Sequence, residues 1–324
     1  MIVSVTGATG HIGSNLIPLL LNNGYQVRAL VRDPADHLDK RAEVILGDIT
    51  QPDTLEPLID GADYVIHLAA KISIEVKPNQ EIIDINITGT ENVIGLCLKH
   101  KIKRMVHFST IHSYNPYPHD EPLDETRELT DHGTPYDHTK KEADKRVLDA
   151  VANGLDAVIL APTSVFGPDD YAPSLMGQAI MDIYGNKIPG LVPGGYNFVD
   201  VRDIAEGTMN AMTRAERGEK YILSGNYLRI KDLAGTIGRI GKVKVPQMVM
   251  PGWLLHMLLP LFRLQSSLQG KPPLLTKDSL DILLNGNPSI SSKKAENAFG
   301  YTIRPFETSI SDTLAWFKAQ RMLS

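Results

Sequence analysis

The sequence predicts a doubly wound α/β fold, a parallel sheet covered by helices on both faces, with a smaller, mostly C-terminal substrate lobe beside it. Two observations carry this. Over residues 1–165 short apolar runs alternate with amphipathic stretches, the pattern of βαβ units. After Gly167-Pro168 that pattern becomes irregular and proline-rich, as though the chain leaves the sheet.

The alternating segments are, in order, Ile2–Val5, Ile12–Leu21, Val27–Val31, Val44–Leu46, Tyr64–Leu68, a helix from Glu81 to Leu98, Met105–Phe108 and Val158–Leu160. Ser113–Pro135 is polar, holds four prolines and reads as a long loop, a length that in compact domains usually serves function. Tyr196–Asp203, the helical Ile204–Met212 and Lys220–Leu223 look like a return to the first lobe. The expected division is therefore residues 1–166 with a return segment at about 198–224 for the first lobe, and 167–197 with 225–324 for the second.

The 324 residues are 42% hydrophobic and 22% charged, which is ordinary for a chain with a packed core. The net charge of −5 offers no field for a polyanion, so a nucleic-acid partner is not expected. A single cysteine, Cys97, excludes an internal disulfide and any multi-cysteine zinc site, and suits the reducing cytoplasm. It lies among Ile94, Leu96 and Leu98 and reads as a small core residue. The first strand runs straight into a glycine-rich motif, leaving no room for a secretory leader in this sequence. Val245–Phe262 carries no Asp, Glu, Lys or Arg, but Pro246, Pro251, Gly252 and Pro260 cut it short of a membrane span, and it reads as a greasy substrate-lobe helix, the alternative being docking on a membrane surface.

Thr6-Gly7-Ala8-Thr9-Gly10-His11-Ile12-Gly13 follows the first strand and opens the first helix. Glycines there permit a tight turn, close backbone approach to a pyrophosphate and close packing of helix on strand, with the helix N-terminus facing the anion. With a strand before it and a helix after it, the motif reads as the dinucleotide loop of a Rossmann fold, the plainer alternative being a structural turn. Pro18 is expected to bend the helix. A site for an unphosphorylated adenosine ribose wants an acid at the end of the second strand. That strand, Gln26–Arg32, offers none before Asp33, whereas the Arg32 guanidinium suits a 2′-phosphate. NADP(H) is therefore expected over NAD(H), the plainer alternative being that Arg32 is a solvated loop cation.

Tyr136 and Lys140 stand four residues apart, on one face of a helix beginning near Pro135. A phenol is a poor proton donor or acceptor at neutral pH unless a nearby cation lowers its pKa, the part expected of Lys140. At the carboxyl end of the strand Arg104–Phe108, Thr110, or as second choice Ser109, is placed to donate a hydrogen bond to a substrate carbonyl. Asn86 steadies a water relay behind Lys140 or is an ordinary helix-surface amide.

Together with Gly47-Asp48-Ile49, His67-Leu68-Ala69-Ala70, Asn86–Thr90 and Ala161–Pro168, these motifs resemble the extended short-chain dehydrogenase/reductase superfamily over nearly the whole chain. Val27–Pro34, Ala295–Tyr301 and Leu314–Phe317 are similar to its dihydroflavonol 4-reductase-like branch, which borders the 3β-hydroxysteroid dehydrogenases. The resemblance implies that Thr110, Tyr136 and Lys140 are catalytic, with Asn86 behind them. It further implies that Gly7, Thr9, Gly10, His11 and Ile12 meet the pyrophosphate, with Arg32 at the ribose. Asp48 and Ile49 would hold the adenine, Leu68, Ala69 and Ala70 the ribose and nicotinamide, and Pro162, Thr163, Ser164 and Val165 would back the nicotinamide. Thr at 110 replaces the more usual Ser, and His11 the usual Phe or Tyr. Where the sugar-nucleotide branch has an arginine for the substrate diphosphate, this chain has Asn197. The superfamily's dimer faces correspond to the helices Glu81–Leu98 and Tyr136–Val151, the second highly charged here.

The expected function is reduction of a ketone or aldehyde on a small, apolar substrate, Trp253–Leu259 being either a pocket wall or a core helix. The rivals are a nucleotide-sugar epimerase or dehydratase with tightly held NAD(P), and a non-catalytic NADP(H)-sensing regulator. No metal is expected: neither His107 with His112 nor His132 with His138 has a ligand-like context. The charged run after Lys140, to Lys145, reads as a solvated helix face.

Overall fold

The computed structural model describes residues 1–72, 79–130, 133–269, 277–284 and 286–323; at 263–269, 278, 279 and 282 it describes the backbone only. His132, the expected companion of His138, lies outside the described residues.

Seven strands form one parallel sheet in the order β3-β2-β1-β4-β5-β6-β9. They are β1 (Ile2–Thr6), β2 (Gln26–Val31), β3 (Glu43–Leu46), β4 (Tyr64–His67), β5 (Arg104–Phe108), β6 (Ala157–Pro162) and β9 (Lys220–Leu223). Strand order reverses between β1 and β4, and the crevice outside the carboxyl ends of these two is where an open sheet binds its ligand. Alternate residues of each strand feed opposite faces. Val5, Ile66, Val106 and Val158 join α1 (His11–Asn22), α7 (Val201–Arg214) and α11 (Lys293–Phe299) in one core. Val65, Met105 and Ile159 join α2 (Pro52–Ile59), α4 (Gly89–His100) and α5 (Pro135–Ala152) in the other. Cys97 is fully buried in this second core.

A second, three-stranded sheet has the order β10-β8-β7, from β7 (Ser164–Phe166), β8 (Gly195–Asp200) and β10 (Asn226–Arg229). It packs with α6 (Leu175–Tyr184), α8 (Ile230–Gly241) and α12 (Phe306–Ala319) around Phe166, Phe198 and Phe317. The strand expected to return to the large sheet at residue 196 thus belongs to the small one, and the return begins with α7, which lies on α1, and β9. The expected second-lobe tail also sends α11 back: Phe299 and Tyr301 sit in the core of the large sheet.

Three local features differ from expectation. α2 is an additional helix, short and opened by Pro52, whose missing N–H costs nothing at a first turn. The expected Glu81–Leu98 helix is α3 (Gln80–Ile83), a π-helical turn over Asp84–Thr88, then α4. That widened turn carries Asn86 inward. Finally, among the described side chains of α9 (Gly252–Gln269) Leu255 and Leu259 are the buried ones, against Leu280 and Leu283 of α10 (Lys277–Leu284), with Trp253 and Met257 in solvent. These two are not the pocket wall the sequence suggested.

Candidate active site

Gly7, between β1 and α1, has φ +69°, and a Cβ there would lie 2.7 Å from the Ala69 nitrogen. The loop can therefore run against the Leu68–Ala70 segment only as glycine. Gly13 packs as closely, a Cβ meeting the Ala8 carbonyl at 2.5 Å. Gly10 caps α1 without any side-chain hydrogen bond, no acid sits in the first turn, and a Cβ on Gly10 would meet only the Gly7 carbonyl. The leading N–H groups of a helix are thus offered beside the β1/β4 reversal, at an exposed Gly10. Thr9 and Gly10 are exposed there and Ile12 half-buried. This cradle fits a pyrophosphate.

His11 is placed differently from expectation: its Nε2 donates to the Pro168 carbonyl at 2.9 Å, and Asn15 donates to the same oxygen. It ties the loop to the start of the second lobe. His37 adds a second tie, donating to the Thr9 carbonyl and stacking on Tyr171. Arg32 is exposed just past the end of β2. Asp48 accepts from the backbone and hydroxyl of Thr50, and Ile49 packs on Gly89.

At the carboxyl end of β6, Pro162 and Thr163 are buried, and Ser164 and Val165 begin β7. Thr163 donates to Asn197, which also binds the backbone of Gly225 in both directions. Asn197 is thus consumed in joining β6, β8 and β10.

Tyr136, Lys140 and Asp144 share one face of α5, which Thr134 and Asp137 start with a reciprocal capping box. Thr110 lies beside the Tyr136 phenol and accepts from the His112 N–H, whereas Ser109 turns inward and donates to Asp144 at 2.8 Å. The structure thereby separates the two candidate hydroxyls: Thr110 faces the phenol. Burial, with the nearby Asp137 and Asp144 carboxylates, pushes the Tyr136 phenol above its usual range, and the Thr110 hydroxyl acts the other way. The phenol thus stands above its ordinary value, where the Lys140 charge was expected to bring it below. Lys140 is itself buried, which brings its ammonium down to about 8 despite the Asp144 charge.

Beneath Lys140 lies a polar floor that the sequence did not reveal. Asp144 is fully buried, bound by Lys220 of β9 at 2.6 Å and 3.5 Å from Nε2 of His107. Burial alone would raise its carboxyl, yet His107 and Lys220 hold it down at about 2. Burial and the Lys140 charge lower His107 to about 4, so this imidazole is neutral. It stacks on His67, whose bonds fix a neutral tautomer: the Ala69 N–H donates to the Thr6 hydroxyl, which donates to Nδ1, while Nε2–H donates to Thr90, which donates to the Asn86 carbonyl. The solvated face expected after Lys140 is therefore wrong at Asp144. Its signal was present in the spacing, since 136, 140 and 144 line one stripe.

Asn86 is likewise committed to the fold. Both its amide N–H groups are used, on the Lys71 carbonyl and the Thr139 hydroxyl, and its oxygen accepts from the Lys71 N–H. It pins the segment after β4 to α5 and has no N–H left for a water relay. Among the described residues no cluster of His, Cys, Asp or Glu could hold a metal ion.

A family model described as the NAD dependent epimerase/dehydratase family matches residues 3–224. The chain is 29% identical to "Sterol demethylase protein B" of Methylococcus capsulatus over the full length of both. It is 31% identical to a "Putative dihydroflavonol 4-reductase" of Synechocystis sp. over 77% of this chain and 75% of that one. Among solved structures, gox2253 superposes with a TM-score of 0.85 at 29% identity, over 100% of this chain and 99% of that one. The UDP-glucose 4-epimerase of Thermotoga maritima shares the fold at a TM-score of 0.80 and 18% identity, over 99% and 100%.

The buried pair makes one sharp expectation. Asp144→Asn strands the Lys220 ammonium, so urea unfolding should show a loss of about 3–5 kcal/mol, and a loss under about 1 kcal/mol would mean that the pair is solvated.

Proposed function

Because the chain belongs to the NAD dependent epimerase/dehydratase family, we propose that it is an NADPH-dependent reductase of a ketone or aldehyde on a small, apolar substrate. It is an NAD(P)-dependent oxidoreductase of the extended short-chain type. The observation that carries the finer proposal is the Thr110 hydroxyl standing beside the Tyr136 phenol, one helical turn from a buried Lys140, a constellation fitted to a carbonyl oxygen. A bound nicotinamide dinucleotide supplies the hydride. Thr110 donates a hydrogen bond to the carbonyl oxygen and so favours the charge that develops on it. Tyr136, whose environment keeps the phenol protonated, delivers the proton to that oxygen. Lys140, cationic below about 8, holds the nicotinamide ribose and offsets the phenolate left behind.

The seven-stranded sheet with α7, β9 and α11 forms the nucleotide side of this proposal, and the three-stranded sheet with α6, α8, α9, α10 and α12 the substrate side. Gly7, Thr9, Gly10 and Ile12 take the pyrophosphate, Arg32 the 2′-phosphate, Asp48 and Ile49 the adenine, and Leu68–Ala70 with Pro162–Val165 the nicotinamide end. The relatives named as reductases support carbonyl reduction, among them a Stigmatella aurantiaca ketoreductase named for a farnesyl-bearing quinoline oxide, which supports an apolar substrate. A sugar-nucleotide substrate is disfavoured, since Asn197 is spent inside the fold. Cytoplasmic placement and a homodimer through α4 and α5 belong to the same proposal.

Tyr136→Phe should bind NADPH as tightly as the parent, by fluorescence titration, while turnover on a carbonyl panel falls by roughly 100-fold or more; near-normal turnover would exclude the phenol as proton donor. Arg32→Gln should raise the Kd for NADPH roughly tenfold, the scale of one lost charge-assisted contact, and leave NADH nearly unchanged. Equal weakening of both nucleotides would remove Arg32 from the 2′-phosphate.

A further inference from the structure

The α9 helix is apolar on two opposite faces. Leu255 and Leu259 pack inward on α10, while Trp253, Met257 and Leu261, at i, i+4 and i+8, form a second stripe that is 66%, 69% and 57% exposed. Met248 and Val249, exposed in the segment just before it, extend the same apolar character. A helix on a protein's surface ordinarily turns charge outward; one that is apolar around most of its circumference is covered by something.

The charges around it say what. From Leu233 to Lys277 the chain carries six Lys or Arg residues and no Asp or Glu, within a protein of net charge −5. Arg239 is neutralised by Glu307, but Lys242 and Lys244 are exposed immediately ahead of Met248. His256, at the edge of the stripe, already engages Asp281. A second copy of this chain would bring one cationic segment against another across a twofold axis. An anionic surface would be attracted. Tryptophan beside long aliphatic side chains with lysines next to them is the composition that lies in a lipid interface, and no described helix is long and apolar enough to span it.

We propose that the exposed stripe of α9, with Lys242 and Lys244, docks the protein on the surface of an anionic phospholipid bilayer. Trp253, Met257 and Leu261 enter the headgroup boundary and the two lysines meet lipid phosphates. The substrate lobe, which carries α9, is thereby held at the layer where apolar molecules concentrate.

Co-sedimentation with vesicles of phosphatidylcholine alone, or mixed with phosphatidylglycerol, tests this. The protein should pellet with the mixed vesicles far more than with neutral ones, and added salt should release it. In a Trp316→Phe background the Trp253 emission should shift to the blue on binding. Trp253→Gln/Met257→Gln/Leu261→Gln should abolish pelleting without changing NADPH affinity, which also shows that the variant is folded. Lys242→Gln and Lys244→Gln should each weaken binding roughly fivefold. The proposal is overturned if the parent stays in the supernatant with mixed vesicles, if the triple variant pellets as well as the parent, or if light scattering without lipid finds a dimer that the triple variant dissolves.

Discussion

A carboxylate with no access to water sits under the candidate active site, and the arrangement above it depends on that charge. Asp144 is fully buried, and the Lys220 ammonium that meets it comes from the last strand of the seven-stranded sheet. The pair joins α5 to β9, with His107 of β5 beside it. One helical turn back stands Lys140, and one turn further Tyr136. Without the Asp144 charge, burial alone would act on Lys140 and lower its ammonium further still. The cost of hiding an ion pair is borne where it fixes the depth and rotation of the helix that presents both reactive groups.

The imidazoles around that pair are kept neutral, His107 by burial beside the Lys140 charge and His67 by its hydrogen bonds. His67 accepts at Nδ1 and donates at Nε2 through hydroxyls that are themselves oriented, so only the uncharged ring satisfies every partner. Two neutral imidazoles stacked beneath an ammonium add no competing positive charge. Above the floor the crevice is bounded by backbone: the Gly7 turn against Ala69, and Asn86 gripping Lys71 from a π-helical turn. Such turns are costly in a helix and recur at functional sites. Here the turn also brings Asn86 to Thr139 of α5, so the segment after β4 and the helix bearing Tyr136 are held by one side chain.

Much of this was legible in the sequence where local chemistry is decisive. The glycine loop, the strand runs and the Pro135 helix start each follow from backbone rules acting over a few residues. What could not be read depended on partners distant in the chain. Asp144 looked like one charge in a solvated run because Lys220, 76 residues away, is what buries it. Thr110 was preferred to Ser109, and the partner that occupies Ser109, Asp144, lies 35 residues on. His11 looked like a pyrophosphate contact, and it is the Pro168 carbonyl, 157 residues on, that claims its ring. The strand at 195–200 had the right composition for either sheet; its register with β10 and β7 placed it in the small one.

The most direct test of the buried ammonium is the pH dependence of kcat/KM for NADPH, which reports groups of the free enzyme. With Lys140 held at about 8, the charged form prevails below that value, so kcat/KM should fall as pH rises through it. A profile that stays level up to the ordinary lysine range of about 10.4 would show that Lys140 is solvated, and the account of a charge buried beside the phenol would be wrong.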